Sequence, residues 1–218
     1  MTFSLIGRCV RTGQIGAAVT TSSIAVGARC TYAAAGVGAV LTQHRTDPRL
    51  GPRGIELLRS GCSAQETLDA LVASTPLARW RQLAVLDAAG NTAAYSGTRT
   101  KPEMSEAPAQ DACAIGNILA SALVPAAMLR AFQSDPSALL AERLLYALEE
   151  GLAAGGENGP VRSAHLLVVE RESFPLVDLR VDWHDTPVAE LRALWNRYAP
   201  QVNDYLIRAL DPDDPTVL

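Results

Sequence analysis

The sequence predicts an α+β protein with four layers, an αββα sandwich of two stacked, mainly antiparallel sheets with helices on both outer faces. Tight turns such as 88–91 join short strands, which indicates hairpins and therefore antiparallel pairing. The strand at 35–43 is rich in glycine and alanine, which weaken a strand unless something such as a second sheet packs closely against it. Helical segments are grouped between strands instead of alternating with them, which excludes a doubly wound parallel sheet.

The N-terminal forty-three residues favour strands. Hydrophobic patterning predicts strands over 2–10, 15–21, 24–28 and 35–43, with almost no helix signal. A proline- and glycine-rich loop follows, and then helices over 53–60 and 63–74. Ser63 with Glu66 three residues later is a capping box and marks the start of the second helix.

The remaining chain repeats this order of strands followed by helices. We expect a hairpin over 82–96, a polar loop with lid character over 99–110, and a strand over 112–119. Further elements are predicted as helices over 123–133 and 137–154, strands over 164–169 and 176–181, and a helix over 187–209. Residues 1–210 therefore form a single domain, and 211–218 form an acidic, proline-containing tail.

Composition excludes several classes of function. The 218 residues have a formal net charge of −4 without a basic patch, so we expect no nucleic-acid partner. No apolar run reaches the roughly 18–20 residues that span a bilayer, and no export signal is visible, so we expect no membrane contact and a cytoplasmic location. The four cysteines match no zinc-ligand spacing, and the glycines form no phosphate loop. We therefore expect neither a metal nor a cofactor.

Thr2 is the first side chain after the initiator methionine. Threonine is small enough that Met1 is normally removed, which leaves the hydroxyl beside its own α-amine. An α-amine has a pKa of roughly 7.7–8.0, so it can accept a proton near neutral pH. Thr2 is thus a nucleophile and a base in one residue. The alternative is that Thr2 is simply the first residue of an edge strand.

Several segments along nearly the whole chain form a recognisable series. They are Thr2-Phe3-Ser4-Leu5, Gly16-Ala17-Ala18-Val19, Ala25-Val26-Gly27, Ala35 to Val40, Thr42-Gln43, Gly51 to Gly54, Arg81 to Val85, Gly116-Asn117, Leu140 to Leu144, Ala153 to Gly156 and Asp178 to Asp182. Their order and spacing resemble the DUF1028 family. The resemblance implies an Ntn-hydrolase-like αββα fold, and it implies that Thr2 matches the N-terminal nucleophile that this superfamily directs at amide bonds. Many members have a basic residue or histidine where this chain has Ser22.

Around Thr2 we expect donors for the oxyanion that forms when an amide is attacked. Asn117 follows a glycine in a segment with little other polarity, and Ser22 and Ser23 end the second strand. We assign Asn117 and Ser22 to catalysis and Ser23 to substrate binding. The alternatives are a turn or bulge residue for Asn117 and a polar loop for the serines.

Three further residues are candidates for substrate binding. Arg29 lies between apolar neighbours and could bind a carboxylate, Gln43 ends a small-residue strand, and His44 begins the following loop. Their alternatives are a surface strand residue for Arg29 and a solvated loop residue for His44. Asp178, Arg180, Asp182 and His184 alternate along one strand and favour a structural ion ladder.

Two functions remain open at this point. The first is a cofactor-free hydrolase that cleaves the amide bond of a small molecule or a short peptide-like substrate. The second is a non-catalytic module for ligand binding or assembly, which the absence of a basic partner at Ser22 favours. Trp195, Tyr198 and Tyr205 in the last helix are aromatics typical of interfaces, so we expect a homodimer or higher oligomer. The alternative is that these aromatics pack on the sheet of their own domain.

Overall fold

A computed structural model describes residues 1–100 and 102–216. Within these ranges the chain forms ten strands and six α-helices. The strands are β1 (Thr2–Arg8), β2 (Ile15–Thr21), β3 (Thr31–Ala34), β4 (Gly38–His44), β5 (Arg81–Asp87), β6 (Thr92–Ser96), β7 (Met104–Ala109), β8 (Ala112–Asn117), β9 (Ser163–Val169) and β10 (Val177–Val181). The helices are α1 (Leu50–Arg59), α2 (Ala64–Ala73), α3 (Val124–Ser134), α4 (Leu140–Ala153), α5 (Pro187–Tyr198) and α6 (Val202–Leu210).

The strands form two antiparallel sheets. The larger has the order β10-β9-β2-β1-β8-β7, and the smaller has the order β3-β4-β5-β6. Neighbouring strands pair antiparallel throughout. In the larger sheet β1 lies between β2 and β8, so the N-terminal strand is central rather than at an edge.

Three apolar layers hold the sandwich together. The outer face of the larger sheet packs on α3, α4 and α5, and the outer face of the smaller sheet packs on α1 and α2. Between the sheets lies a third core with Ile6, Ile15, Leu41, Leu86 and Ile115. Burial of this apolar surface is the main favourable term in folding. The predicted αββα fold class is therefore confirmed.

Four predicted elements differ from the structure. The strand predicted over 35–43 begins only at Gly38, because 35–37 is the turn that joins β3 to β4. The segment predicted as a strand over 24–28 contains instead a 3-10 turn at Val26–Ala28. The predicted polar loop over 99–110 contains β7, an edge strand in which Pro108 is tolerated because an edge strand needs hydrogen bonds on one side only. The last helix is interrupted at Ala199–Gln201, where Pro200 cannot donate a main-chain hydrogen bond.

Parts of two predictions lie outside the described residues. Lys101 belongs to the predicted loop over 99–110, and positions 217 and 218 belong to the predicted acidic tail. No helix in the described ranges has the length and apolar character needed to cross a membrane. The single-domain prediction for 1–210 stays a prediction.

Candidate active site

The alternation of β1 divides its side chains between two environments. Phe3 and Leu5 face outward into the core beneath the helices, whereas Ile6 faces the core between the sheets. Because side chains on a strand alternate with a period of two, Thr2 and Ser4 share the inner face with Ile6. The space between the sheets thus has an apolar part near Ile6 and a polar end near Thr2.

Thr2 is buried at this polar end, with only 5% of its surface exposed. Asn117, the last residue of β8, is its register partner on one side. On the other side, the hydroxyl of Thr21 at the end of β2 lies 3.1 Å from the Thr2 hydroxyl. Both hydroxyls also donate to the main-chain carbonyl of Met1. Met1 therefore occupies the approach to the Thr2 hydroxyl.

A buried network of side-chain amides extends from Asn117 into the smaller sheet. Gln82 Nε2 donates to the carbonyl of Gly116 at 2.9 Å, and a carbonyl can only accept. Gln82 Oε1 must then face Asn117 Nδ2 at 2.9 Å and Gln43 Nε2 at 2.7 Å. Gln43 Oε1 in turn accepts from the Ser4 hydroxyl at 2.7 Å. The Gly116 carbonyl thereby fixes the orientation of the three side-chain amides of this network, those of Gln82, Asn117 and Gln43.

Asn117 is left with an unmet acceptor. Its Nδ2 is turned toward Gln82, so Oδ1 is buried and has no hydrogen-bond donor among the described residues. Its second N–H remains available. Asn117 thus offers both a donor and an acceptor beside Thr2.

Glu157 also lies at this site, and sequence reasoning missed it. It is 4% exposed, and a β-bridge between Leu119 and Glu157 holds its main chain. Its Oε2 accepts from the Ser22 N–H at 3.1 Å, whereas Oε1 is buried without a partner in the described chain. The available sequence signal was an isolated acid in the glycine-rich segment 155–159.

Charge and burial act together on Glu157 and the N-terminus. Burial raises the pKa of Glu157 to about 7, and the N-terminal amine and the hydrogen bond from the Ser22 N–H act in the opposite direction. Burial also lowers the pKa of the Met1 α-amine, and the Glu157 charge counteracts this. The two groups therefore influence each other's ionisation close to neutral pH.

The two predicted serines and Arg29 lie in the loop after β2. Ser22 directly follows β2 and contacts the site through its main chain, and Ser23 is exposed. Arg29 donates to the Ser23 hydroxyl at 2.6 Å and to the carbonyls of Ile24 and Ala25 at 2.6 and 2.8 Å. The Arg29 guanidinium therefore holds this loop together.

Gln43 and His44 have separate surroundings although they are neighbours in sequence. Gln43 is fully buried in the amide network, one hydrogen bond away from Ser4. His44 stacks on Trp80 and its Nδ1 lies 2.9 Å from the Trp80 carbonyl. Burial lowers the pKa of His44, and the positive charges of the N-terminus and nearby arginines add to this, so the neutral imidazole is favoured at pH 7.

A second polar set, also missed from the sequence, links the two sheets. Thr31 Oγ1 on β3 lies 2.7 Å from His165 Nδ1 on β9, and His165 Nε2 lies 2.9 Å from Asp178 Oδ1 on β10. Gly27 makes room for the ring, because a Cβ there would come within 2.7 Å of the imidazole. Asp178 was predicted to belong to an ion ladder on β10, but its hydrogen bond is to His165 across the strands.

The sequence matches the model of a family of unknown function, DUF1028, over residues 2–191. Among solved structures, a DUF1028 protein from Silicibacter pomeroyi is 28% identical, with a TM-score of 0.84 over 91% of this chain and 89% of that one. Anbu (ancestral beta-subunit) from Yersinia bercovieri is 11% identical, with a TM-score of 0.42 over 92% of this chain and 96% of that one. A search of curated proteins finds no match.

Proposed function

This chain belongs to the DUF1028 family, and we propose that it is an Ntn-type hydrolase acting on the amide bond of a small molecule or a short peptide-like substrate. Thr2 is the nucleophile once Met1 is removed. The observation that supports this most is the position of the Thr2 hydroxyl, between Thr21 Oγ1 and Asn117 at the polar end of the sandwich. A main-chain terminus beside a buried hydroxyl supplies nucleophile and base together.

The proposed reaction has two stages. The α-amine of Thr2 takes the hydroxyl proton while Oγ1 forms a bond to the substrate carbonyl carbon. The tetrahedral oxyanion then collapses, the C–N bond breaks, and the proton passes to the leaving nitrogen. Water afterwards cleaves the Thr2 ester by the same base, which releases the acid and restores the hydroxyl.

Donors for the oxyanion are available near Thr2. In this proposal Asn117, which keeps one N–H after its bond to Gln82, is one donor, and Ser22, which directly follows β2, is the other. In this proposal Ser23, Arg29 and His44 contact parts of the substrate farther from the reacting carbonyl. The predicted contact of Gln43 with substrate is wrong for this structure, because Gln43 is fully buried and bonded to Ser4 and Gln82. No metal or cofactor takes part.

The test begins with an intact mass of the purified protein, which must correspond to a chain starting at Thr2. A panel of small amides and N-acyl amino acids then identifies a substrate. Thr2→Ala should abolish turnover and Thr2→Ser should retain part of it. Thr20→Ala is the matched control, because Thr20 pairs with the outward-facing Phe3 and donates to the Ser163 carbonyl. Thr2→Ala turning over the substrate at the wild-type rate would refute the proposal.

The second candidate is the non-catalytic binding or assembly module. It is favoured by the contacts of Met1, whose carbonyl accepts from both threonine hydroxyls and leaves Thr2 buried. A chain that retains Met1 has no amine on Thr2 and no basic side chain at Ser22. An intact mass that includes Met1 would therefore select this candidate over the hydrolase.

We also propose a cytoplasmic setting. All four cysteines are free thiols, and Cys9, Cys30 and Cys113 are buried. Such thiols suit a reducing compartment. Fractionation of the native host, followed by immunodetection, tests this location directly.

A further inference from the structure

Two acceptor atoms beside Thr2 are buried without a donor, namely Asn117 Oδ1 and Glu157 Oε1. Both residues are held close to the start of β1, because Glu157 bridges to Leu119 just after β8 and its side chain reaches the Ser22 N–H just after β2. Asn117 belongs to β8, and Glu157 is held beside the end of β2 through the Ser22 N–H. A buried acceptor without a donor destabilises the folded state. Two such atoms around one residue indicate that a donor belongs between them.

Neither acceptor can be satisfied by reversing a side chain. The Gly116 carbonyl fixes Gln82, and Gln82 fixes Asn117 with Nδ2 toward the network and Oδ1 away from it. The other oxygen of Glu157 is already bonded to the Ser22 N–H at 3.1 Å. The missing group must therefore bring its own hydrogens to both atoms.

We propose that these two atoms hold the α-amine of Thr2 after removal of Met1, with Glu157 as the positioning residue that sets the ionisation of that amine. This inference rests on the proposed function, because it needs Thr2 to be the first residue. An α-amine brings up to three N–H donors, and it lies at the end of β1 between β8 and β2.

The electrostatics of the site agree with an amine at this position. Only 4% of the surface of Glu157 is exposed. A carboxylate that is buried to this extent needs a compensating charge. The Met1 amine, three bonds before the Thr2 nitrogen, is already within the field of Glu157. Excision of Met1 moves the positive charge of the chain terminus to the Thr2 nitrogen. A water molecule in the same place would supply hydrogens but no charge.

The arrangement has a chemical consequence. The amine acts as a base only when it is neutral, and the Glu157 anion favours its protonated form. Burial acts in the opposite direction, as it does at the Met1 amine, where burial lowers the pKa and the Glu157 charge raises it. Hydrogen bonds to Asn117 and Glu157 also direct the remaining lone pair, which must point at the Thr2 hydroxyl to accept its proton. In this proposal Asn117 Oδ1 and Glu157 Oε1 bond to the amine and do not contact the substrate.

The test measures the amine itself. Protein released from a cleavable fusion with Thr2 as its first residue, and labelled with nitrogen-15 threonine, is titrated by NMR through the Thr2 amine signal. Glu157→Gln should lower the amine pKa by about one unit, because the opposite charge that raises it is gone. Glu157→Asp, which keeps the charge, should shift it less. Glu190→Gln, an exposed glutamate in the first turn of α5, is the matched control and should leave it unchanged.

The readout separates this inference from the proposed function. An amine pKa that is the same in wild type and folded Glu157→Gln overturns the inference, and a water molecule or a purely structural role then explains Glu157. A lowered amine pKa without any substrate upholds the inference and counts against the hydrolase. If a substrate is found, the lower limb of the kcat profile should move to lower pH by the same amount as the amine pKa.

Discussion

At the scale of single residues, strand alternation decides which threonine is chemically useful. Thr20 and Thr21 are adjacent on β2, yet Thr20 donates to the Ser163 carbonyl, whereas the Thr21 hydroxyl lies 3.1 Å from that of Thr2. Both are β-branched and suit a strand equally well. Only Thr21 can therefore take part in proton movement at Thr2.

This difference gives a paired prediction. Thr21→Val keeps the shape but removes the hydroxyl beside Thr2, so the turnover of an identified substrate should fall by about 10²-fold. Thr20→Val loses a buried hydrogen bond of about 1 kcal/mol and should retain turnover. Steady-state kinetics and urea unfolding of both variants provide the comparison. Equal turnover by the two would exclude a role for Thr21.

Glu157 makes stability depend on pH. Its pKa rises from an ordinary 4.5 to about 7 in the folded chain, so the folded state binds this proton more tightly than the unfolded state. The free energy of unfolding therefore contains a contribution that is complete below pH 4.5 and is lost as pH rises through 7. Glu157→Gln has no such titration, and from pH 4 to pH 8 it should gain about 2–3 kcal/mol relative to wild type.

Urea unfolding of both proteins at several pH values measures this gain. Glu190→Gln serves again as the control, and its difference from wild type should be the same at pH 4 and pH 8. A pH-independent difference between Glu157→Gln and wild type would show that Glu157 titrates alike in the folded and unfolded chain.

At the scale of elements, local patterns located most strands and helices, and the errors have local causes. Proline and charge in 99–110 indicated a loop, but β7 needs only one bonded edge and so accepts Pro108. Thr2 and Asn117 could be predicted as site candidates from their positions in strands. Glu157 could not, because its contact with Ser22 spans 135 residues and exists only after the sheets assemble. His165 was missed for the same reason.

The hydrogen bonds of His165 to Thr31 and Asp178 link β9 to β3 and β10. Its hydrogen bond to Asp178 holds the pKa of that carboxyl below its ordinary value. The stabilisation is therefore present above the ordinary carboxyl pKa of about 3.9 and is lost as pH falls below it. Asp178→Asn should reduce the free energy of unfolding by about 1 kcal/mol at pH 7, a modest value because Asp178 is partly exposed.

As pH falls below the ordinary carboxyl pKa of about 3.9, the difference between Asp178→Asn and wild type should shrink. Asp182→Asn is the control, because Asp182 is more exposed and lies 3.8 Å from Arg180 without a histidine partner. Thermal unfolding across pH separates the two variants. Equal losses at pH 7 would mean that the link to His165 contributes nothing beyond an exposed ion pair.

At the scale of the whole molecule, the aromatic residues that suggested oligomerisation divide into two groups. Trp195 is buried in its own domain and donates to Glu142 at 2.6 Å, and the Tyr198 hydroxyl donates to the Leu176 carbonyl. Both therefore pack on their own chain. Tyr205 remains 42% exposed on α6, a helix without a fully buried residue. The prediction of an oligomer thus depends on α6.

A homodimer that covers α6 is the expected assembly. Leu210 on this helix is 56% exposed, and covering it and Tyr205 would remove apolar surface from water. Light scattering at micromolar concentration should give a mass above the 23.1 kDa of one chain. Leu210→Glu should shift the protein toward 23.1 kDa, because a charge cannot be buried there without a partner. Leu139 is about as exposed as Leu210 but lies just before α4, so Leu139→Glu should keep the mass of the wild-type assembly. If the wild-type protein itself has the mass of one chain, the homodimer is wrong.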